Sequence, residues 1–463
     1  TWATGISGNV QSFITYSSPS GTNKIFAASN NAGSCSIYDV SNFGAVGAAV
    51  ATGLTSAQWH SAQMATSGGT FTVAVNGSDK LKIYNGTTWY NVDSTSSPYA
   101  ITGVSTQNFA DVLTHHRRLW FVEKNSLKCW YLPTDSIAGA ATQYDFGPLF
   151  QMGGSIAKID TWTLDAGFGM DDYFVVITTA GEIAVFSGTD PSSSATWELN
   201  GIYYCGSPVG RNCTIKYGGD ILLLNKDGLV PLSQWLMSSR VNIKTSITNK
   251  IQQKITDATS QYAGNYGWQV VLNPPENMLF VNVPISATES HQYVMNTISG
   301  AWSRFTGINA TCWTFINEVL YYGNGGKIYK FWTTQDDDGN SIATRLLPAF
   351  NAFGSQSQIK RFTMARVSMG YDATFSFSGC LNVDFDQVTE PDYPYNTLST
   401  TAGVWDAGIW DKSIFGGTIT PFARWQPTLG LGHYGSYQIK TVSKSSDIRF
   451  YAIDYVIEGG GIL

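Results

Sequence analysis

A short sequence pattern, which we call the repeat unit, recurs along this chain and limits the folds that the chain can adopt. In each copy a β-run meets a tight Gly or Asn turn, a second β-run follows, and an aromatic residue closes the unit. Residues 71–89 are one example, with turns at Asn76-Gly77 and Asn85-Gly86 and Trp89 at the close. Further copies lie at residues 118–131, 173–197, 221–232 and 319–332. Imperfect repeats of this kind are typical of radially arranged sheets and predict an all-β fold with a β-propeller.

The spacing of the copies agrees with the size of a propeller blade. Anchoring each copy on its second β-run gives Ile37, Ile83, Trp130, Val185, Leu232, Val294 and Ile328. Subtracting successive positions gives gaps of 46, 47, 55, 47, 62 and 34 residues. A four-stranded blade takes roughly 40–50 residues, so three of the first four gaps fit this size.

The longest gap contains a helical pattern. Between Ser246 and Ser260 the apolar side chains fall at Ile247, Ile251, Ile255 and Ala258, which is the spacing of one helix face. Ser246 is the predicted N-cap, and Gly264 follows the predicted end. We therefore predict one inserted helix at about residues 246–260, and its Ile stripe needs a partner surface.

The sequence pattern changes after Trp332. A polar break, Asp336-Asp337-Asp338-Gly339, is followed by longer β-runs between residues 362 and 458. We predict a propeller over residues 1–335 and an additional C-terminal β region over residues 336–463. This region is either a small sandwich or barrel, or strands that complete the propeller. Residues 10–15 and 25–29 are candidates for closing the ring with C-terminal strands.

The composition favours an all-β protein whose surface is partly covered. Charged residues are 13%, about half the roughly 25% of an ordinary soluble chain, and aromatic residues are 14%. Such a surface is most simply covered by copies of itself. The net charge of −6 argues against tight electrostatic binding of nucleic acid, which needs clustered Lys and Arg. The chain begins at Thr1 without a methionine, so its start has been removed or is not represented.

The cysteines and the hydropathy exclude two further classes. None of the six cysteines forms a Cys-x-x-Cys pair, and Cys129, Cys205 and Cys312 directly adjoin aromatic residues. We expect buried thiols rather than disulfides or a zinc site. No run approaches 18 apolar residues, so no membrane span is predicted.

One segment resembles a calcium loop. Residues 165–172 combine Asp165, Asp171 and Asp172 with two glycines, and calcium takes six to eight oxygen ligands. The spacing of an EF-hand is not met, and a plain turn before the β-run at residues 173–178 explains the segment as well. We predict no metal and no cofactor, with this loop as the one candidate.

Other polar residues are candidates for chemistry. The run His115-His116-Arg117-Arg118 fits either a metal or phosphate site, or a blade edge or subunit contact. Glu123, Glu182 and Asp190 are candidate carboxylates for glycoside hydrolysis, but no spacing ties two of them together. No catalytic residue is predicted, and we expect the chain not to be an enzyme.

The central part of the chain resembles a known family. The matching segments are residues 117–123 (RRLWFVE), 130–133 (WYLP), 161–167 (TWTLDAG), 181–191 (GEIAVFSGTDP), 218–220 (GGD) and 227–232 (DGLVPL). They resemble structural proteins of short-tailed bacteriophages, the tail nozzle or tail hub proteins, also called tail tubular protein B or packaged-DNA stabilisation proteins. The close match covers about residues 115–235, and a looser one extends from residue 1 to about 335.

The resemblance implies a function in the virion. It implies a homohexameric ring in the phage tail, whose lumen retains packaged DNA and then conducts it during DNA ejection. The implied partners are tail adaptor, tail needle or fibre proteins and DNA that passes without tight sequence-specific binding. A net acidic chain with few basic residues suits such a conduit.

Two alternatives remain at this point. A carbohydrate- or receptor-binding propeller tail protein would use exposed Trp and Tyr as sugar platforms, and the chain has 15 Trp. A glycoside hydrolase would place two carboxylates about 5–10 Å apart in one cleft.

Overall fold

A computed structural model describes residues 1–165, 170–236, 246–387, 396–398, 419–444 and 446–462. The chain divides into two compact units, Thr1–Phe331 and Trp332–Leu463. Strands predominate in both units.

The described part of the first unit contains seven principal sheets, which we call blades 1 to 7 in chain order. Blade 1 comprises Asn9–Ser17, Asn23–Asn31, Ser34–Asp39 and Ala51–Leu54, and blade 2 comprises His60–Thr66, Gly69–Val75, Leu81–Tyr84 and Trp89–Val92. Blade 3 comprises Phe109–His115, Arg118–Glu123, Lys128–Tyr131 and Thr142–Asp145, and blade 4 comprises Ile156–Asp165, Met170–Thr178, Glu182–Gly188 and Trp197–Tyr204.

The remaining blades are less regular. Blade 5 comprises Thr214–Tyr217, Asp220–Asn225 and Gly228–Pro231, and blade 6 comprises Gln269–Asn273, Met278–Pro284, Ser290–Asn296 and Trp302–Phe305. Blade 7 comprises Cys312–Ile316, Val319–Asn324, Lys327–Phe331 and Ala3–Thr4, with Gly44–Ala45 paired in parallel to Ala3–Thr4. A separate short pair joins Ile101–Thr102 to Gly139–Ala140.

The first strands of the blades contact one another in a closed circle, from blade 1 through blade 7 and back to blade 1. They are therefore the innermost strands, and the first unit is a β-propeller, as the repeat predicted. Its described residues form seven blades, a number that the sequence did not predict. Six of the seven anchor residues lie on the third strand of a blade, and Leu232 directly follows the third strand of blade 5. The repeat unit thus corresponds to the second and third strands of a blade with their connecting turn.

The core lies between neighbouring blades. Second strands are buried on both faces because each blade is covered on two sides, and this explains their continuous apolar runs. Between blades 3 and 4, for example, Trp120 packs against Phe174 and Trp197, with ring centroids 4.5 and 5.6 Å away. The aromatic residues of the repeat therefore serve mainly as packing between sheets.

The ring closes at a different place from the one predicted. Ala3 pairs antiparallel with Ile328, so the closing strand is Ala3–Thr4. The expectation that residues 10–15 and 25–29 pair with C-terminal strands is wrong. These two runs pair with each other, for instance Ile14 with Phe26, because the turn at residues 18–22 makes them one hairpin.

The inserted helix is confirmed, but it starts later than predicted. Helix α1 spans Leu232–Leu236, a 3₁₀ turn spans Asn249–Ile251, and helix α2 spans Gln252–Tyr262. Ile255 and Ala258 are buried, as their spacing required. Ser246 does not cap α2, because its hydroxyl lies 3.2 Å from the Leu229 carbonyl oxygen and 2.8 Å from Thr248 Oγ1.

The second unit is a β-sandwich. One sheet contains Ile342–Leu346, Gly435–Ser443, Phe375–Val383 and Asn396–Leu398, and the other contains Thr420–Gly432, Gln358–Tyr371 and Ile448–Ile462. Val367, Met369, Phe377 and Ile439 are buried together in its core. Of the two alternatives, the small sandwich is therefore correct, since Ala3–Thr4 closes the propeller within the first unit.

The six cysteines are all buried and unoxidised, as their aromatic neighbours suggested. Burial raises the pKa of the Cys312 thiol to about 12, so this thiol stays protonated near neutral pH. Among the helices that the structure describes, none has the length and hydropathy to cross a membrane.

Candidate functional site

The propeller encloses a cavity on its axis. Its volume is about 520 Å³, and it lies where the segments leading into the innermost strands of blades 2 to 7 converge. These segments include His60, Asp111, Arg211, Tyr266 and Thr311. We call this space the channel cavity. Clefts of this size at a convergence of loops are common ligand sites in proteins.

Polar side chains connect the innermost strands beside the channel cavity. His60 Nδ1 lies 3.3 Å from Asp111 Oδ1, and Lys158 Nζ lies 3.0 Å from each oxygen of Asp111. Asp160, two residues after Lys158, accepts a 2.8 Å hydrogen bond from Thr214 Oγ1. We call these five residues the channel cluster. It joins blades 2, 3, 4 and 5.

The charges in the channel cluster follow from burial and pairing. Burial lowers the pKa of His60 to about 4; Asp111 opposes this effect, while Lys158 and Arg211 add to it. Burial also opposes a charge on Lys158, but Asp111 and Asp160 outweigh it and raise the pKa of that ammonium group. At neutral pH the channel cluster therefore holds a neutral imidazole and a charged ammonium group, with the side chains of Asp111 and Asp160 both acting on that ammonium group.

Similar contacts link the other innermost strands. Ser12 Oγ donates to the Ala57 carbonyl at 2.6 Å, and the Val270 amide donates to the Asn212 carbonyl at 3.3 Å. The remaining contacts are Gln269 Nε2 to the Trp313 carbonyl at 3.1 Å, and Thr311 Oγ1 to the Val10 carbonyl. Together with the channel cluster they connect all seven blades around the axis. Each such bond satisfies a polar group that packing would otherwise leave without water.

The candidate calcium loop lies at a hairpin of blade 4. Asp165 and Met170 are paired residues of its first two strands. Residues 166–169 and the side chains of Asp165 and Asp171 lie outside the described residues. Asp172 Oδ1 accepts a 2.6 Å hydrogen bond from Thr163 Oγ1. Within the described ranges no three His, Cys, Asp or Glu side chains are grouped to hold a metal ion.

The run at residues 115–118 is divided by the hairpin of blade 3. His116 and Arg117 form its turn with φ of 45° and 59°, and Arg117 pairs with Asp135 at 2.7 Å. His115 points inward to Thr161 Oγ1 at 2.9 Å, whereas Arg118 Nη2 lies 3.2 Å from Asp190. His116 Nε2 lies 3.3 Å from the Asp172 carbonyl oxygen, and its ring contacts that of His115, with 4.3 Å between the centroids. The two histidines therefore lie together, but Arg117 and Arg118 pair with carboxylates elsewhere, so the four side chains do not form one site.

The candidate carboxylates also have separate structural partners. Glu123 accepts a 2.9 Å hydrogen bond from Trp130 Nε1. Buried Glu182 accepts bonds from the backbone amides of Gln151 and Met152, at 3.1 and 2.9 Å. Among the described residues that line the channel cavity, Asp111 is the one carboxylate. The two-carboxylate arrangement of a glycoside hydrolase is therefore not found in this cavity.

The tryptophans offer few platforms for a sugar. Most of those with described side chains are buried or half-buried between blades, and the exposed ones are Trp332 and Trp425. The Trp425 ring is further covered by Arg366, whose Cζ lies 4.9 Å from the ring centroid. Their abundance thus reflects blade packing.

The sequence did not single out the channel cluster, although a signal was present. His60 and Asp111 are 111 − 60 = 51 residues apart, and Asp111 and Lys158 are 158 − 111 = 47 residues apart. These distances are close to one blade repeat, and the three residues lie within the first three positions of successive innermost strands. Searching for charged residues at the repeat distance would have found them.

Comparisons with known proteins show similarity at the level of fold. No protein-family model and no curated protein sequence matches the chain. Among solved structures, BBS1N in complex with ARL6DN is 12% identical, with a TM-score of 0.41 over 69% of this chain and 90% of that one. The Myceliophteria thermophila Cps50 (Swd1) β-propeller domain is 12% identical, with a TM-score of 0.37 over 69% and 94%. YCF48 bound to D1 peptide is 8% identical, with a TM-score of 0.38 over 71% and 93%.

The fold defines the class of the molecule. It is a β-propeller protein with an inserted helix and an additional β-sandwich. Its polar side chains converge on the propeller axis, and this is the candidate site for binding.

Proposed function

We propose that the chain is a ring-forming nozzle or hub subunit in the tail of a short-tailed bacteriophage. Six copies surround a lumen that retains packaged DNA and conducts it at ejection. The proposal rests on the resemblance of residues 115–235, which in the fold correspond to blades 3 to 5, and on a surface suited to self-assembly.

The observation that carries the proposal is an exposed apolar sheet face in the sandwich. On the outer side of the strand Thr420–Gly432, Trp425, Leu429 and Leu431 are 42, 86 and 69% exposed. Met364 and Val456 on the two other strands of this sheet are 39% exposed each. Apolar faces of this kind are usually covered by a partner, and obligate subunit contacts are rich in such residues.

Charges at the centre of this face are paired within the chain. Arg366 lies 2.8 Å from Asp454, and Arg361 lies 3.5 Å from Glu458. An internally neutral, largely apolar face meets a second neutral face at low electrostatic cost. The net charge of −6 suits a lumen through which DNA passes without tight binding.

Electron microscopy of the particle that contains the chain tests the proposal. We expect six copies around a central channel between the adaptor and the tail tip. A peripheral position on a fibre, or an arrangement without a lumen, would contradict it.

A pair of substitutions tests the proposed contact face. Leu429→Ser with Leu431→Ser should reduce ring formation at least about tenfold, because two exposed anchors lose their apolar contact. Ile298→Ser is the matched control, since Ile298 is an apolar residue that is 78% exposed and belongs to the propeller unit, not to this sheet. Sedimentation velocity at equal concentrations gives the comparison. If the double variant and the control assemble equally well, this sheet face is not the contact between subunits.

A further inference from the structure

The channel cavity has an excess of positive charge that the conduit function does not use. Its charged lining residues, apart from neutral His60, are Asp111, Lys124 and Arg211. The one carboxylate among them is already paired, since Lys158 lies 3.0 Å from both its oxygens. The remaining charges are therefore those of Lys124 and Arg211. A basic cavity is unexpected in a chain with a net charge of −6.

Neither remaining cation is neutralised within the described residues. Lys124 Nζ donates a 2.9 Å hydrogen bond to the Gly77 carbonyl, which leaves its charge uncompensated. Arg211 is exposed to the cavity, and no described carboxylate lies within ion-pair distance of it. It is close enough to His60 to act on that imidazole electrostatically. Arg211 thus lines the cavity as an exposed residue, and among the described residues no group accepts a hydrogen bond from its guanidinium.

We propose that the channel cavity binds a small oxyanion-bearing molecule, with a phosphate or carboxylate group held by Arg211 and Lys124. The cavity volume of about 520 Å³ suits a metabolite-sized ligand rather than a single ion. A planar guanidinium binds two oxygens of one anionic group, and a lysine adds a point charge. The paired Asp111 and the neutral His60 remain beside the site as polar neighbours.

The volume of the cavity can be changed independently of its charge. Gly264 lines the cavity, and a Cβ built on it meets no atom within 4 Å. Its φ lies outside the left-handed region, so a side chain is tolerated there. Gly264→Met should therefore fill part of the cavity while keeping every charge. Arg211→Gln does the opposite, since it removes the charge and leaves the space.

Isothermal titration of the full chain tests the site. The probes are inorganic phosphate and citrate, with wild type, Arg211→Gln, Gly264→Met and the control Arg304→Gln, which removes an exposed arginine of blade 6. Wild type and the control should bind at least one probe. Both cavity variants should bind it roughly tenfold to a hundredfold more weakly, as expected for loss of a charge-assisted contact or of space.

The outcomes separate the alternatives. Tighter binding of phosphate identifies a phosphate-bearing ligand, and tighter binding of citrate identifies a polycarboxylate. No heat with either probe at millimolar concentration, or equal binding by wild type and both cavity variants, would overturn the proposal. If Arg211→Gln fails to fold, Gly264→Met alone decides, because it leaves the channel cluster and its charges intact. Ring formation is measured separately, so failure here leaves the tail proposal standing.

Discussion

At the scale of single residues, burial and pairing determine which groups are charged on the propeller axis. His60 is held neutral, with a pKa of about 4, beside Asp111, Lys158 and Arg211. The ordinary pKa of histidine is 6.5, so between pH 6.5 and pH 4 the unfolded chain binds a proton at His60 and the folded chain does not. This contribution to stability is complete above pH 6.5 and is lost as the pH falls toward 4.

The substitution His60→Gln should remove this pH dependence. Between pH 7 and pH 5 the imidazole accounts for a loss of about 2 kcal/mol in the free energy of unfolding. Urea unfolding at both pH values measures the difference. The variant should show a smaller difference than wild type by about that amount. An unchanged difference would mean that the pKa of His60 is the same in the folded and the unfolded chain, which would contradict its burial as a neutral group.

Lys360 gives a second residue-scale prediction, in the sandwich. Its buried ammonium group donates to the carbonyls of Ser355, Gln358 at 2.9 Å and His433 at 3.2 Å. Lys360→Met leaves three carbonyls without this donor and should lower stability by about 2–4 kcal/mol. Thermal unfolding of the full chain checks this, with exposed Lys444→Met as the control. Equal melting temperatures for the two variants would contradict the contribution of this ammonium group.

At the scale of elements, the closure of the propeller depends on a close backbone approach. Gly326 accepts the Ile6 amide at 3.2 Å, and a Cβ on Gly326 would lie 2.3 Å from the Ile6 carbonyl oxygen. The φ of Gly326 is outside the left-handed region, so the problem is space rather than backbone strain. The closing strand Ala3–Thr4 directly precedes this contact.

Gly326→Ala should therefore weaken the contact that closes the propeller and lower the free energy of unfolding. We expect a loss of about 2 kcal/mol or more, since backbone must move to admit the methyl group. Gly47→Ala is the matched control, because a Cβ at Gly47 meets nothing within 4 Å. Denaturant midpoints and proteolysis of the N-terminal residues give the comparison. Similar midpoints for the two variants would show that the closing contact adapts without loss.

Elements were predictable where their pattern is local. The second and third strands of each blade and helix α2 follow from apolar runs, turn residues and the spacing of Ile255 and Ala258. The closing pair Ala3 and Ile328 was missed because it joins distant residues through a two-residue strand. The start of α2 was misplaced because Ser246 and Thr248 bond to blade 5 instead of capping the helix.

At the scale of the whole molecule, the sequence repeat allowed the fold to be predicted but did not reveal the candidate site. A propeller brings together residues one repeat apart, so His60, Asp111 and Lys158 meet although no short motif contains them. Conversely, His115 and Arg118 are three positions apart and are paired across the hairpin of blade 3, yet their side chains have different partners, Thr161 and Asp190. Sequence neighbours are poor guides to a site in this architecture, and equivalent positions in successive repeats are good ones.

The proposed function requires that this chain assembles into a ring of six through the exposed apolar face of its sandwich. Native mass spectrometry of the full chain, across a range of concentrations, measures the number of subunits. We expect a dominant species of six subunits, of about 302 kDa from 6 × 50.3 kDa. A stable monomer at every concentration would contradict it.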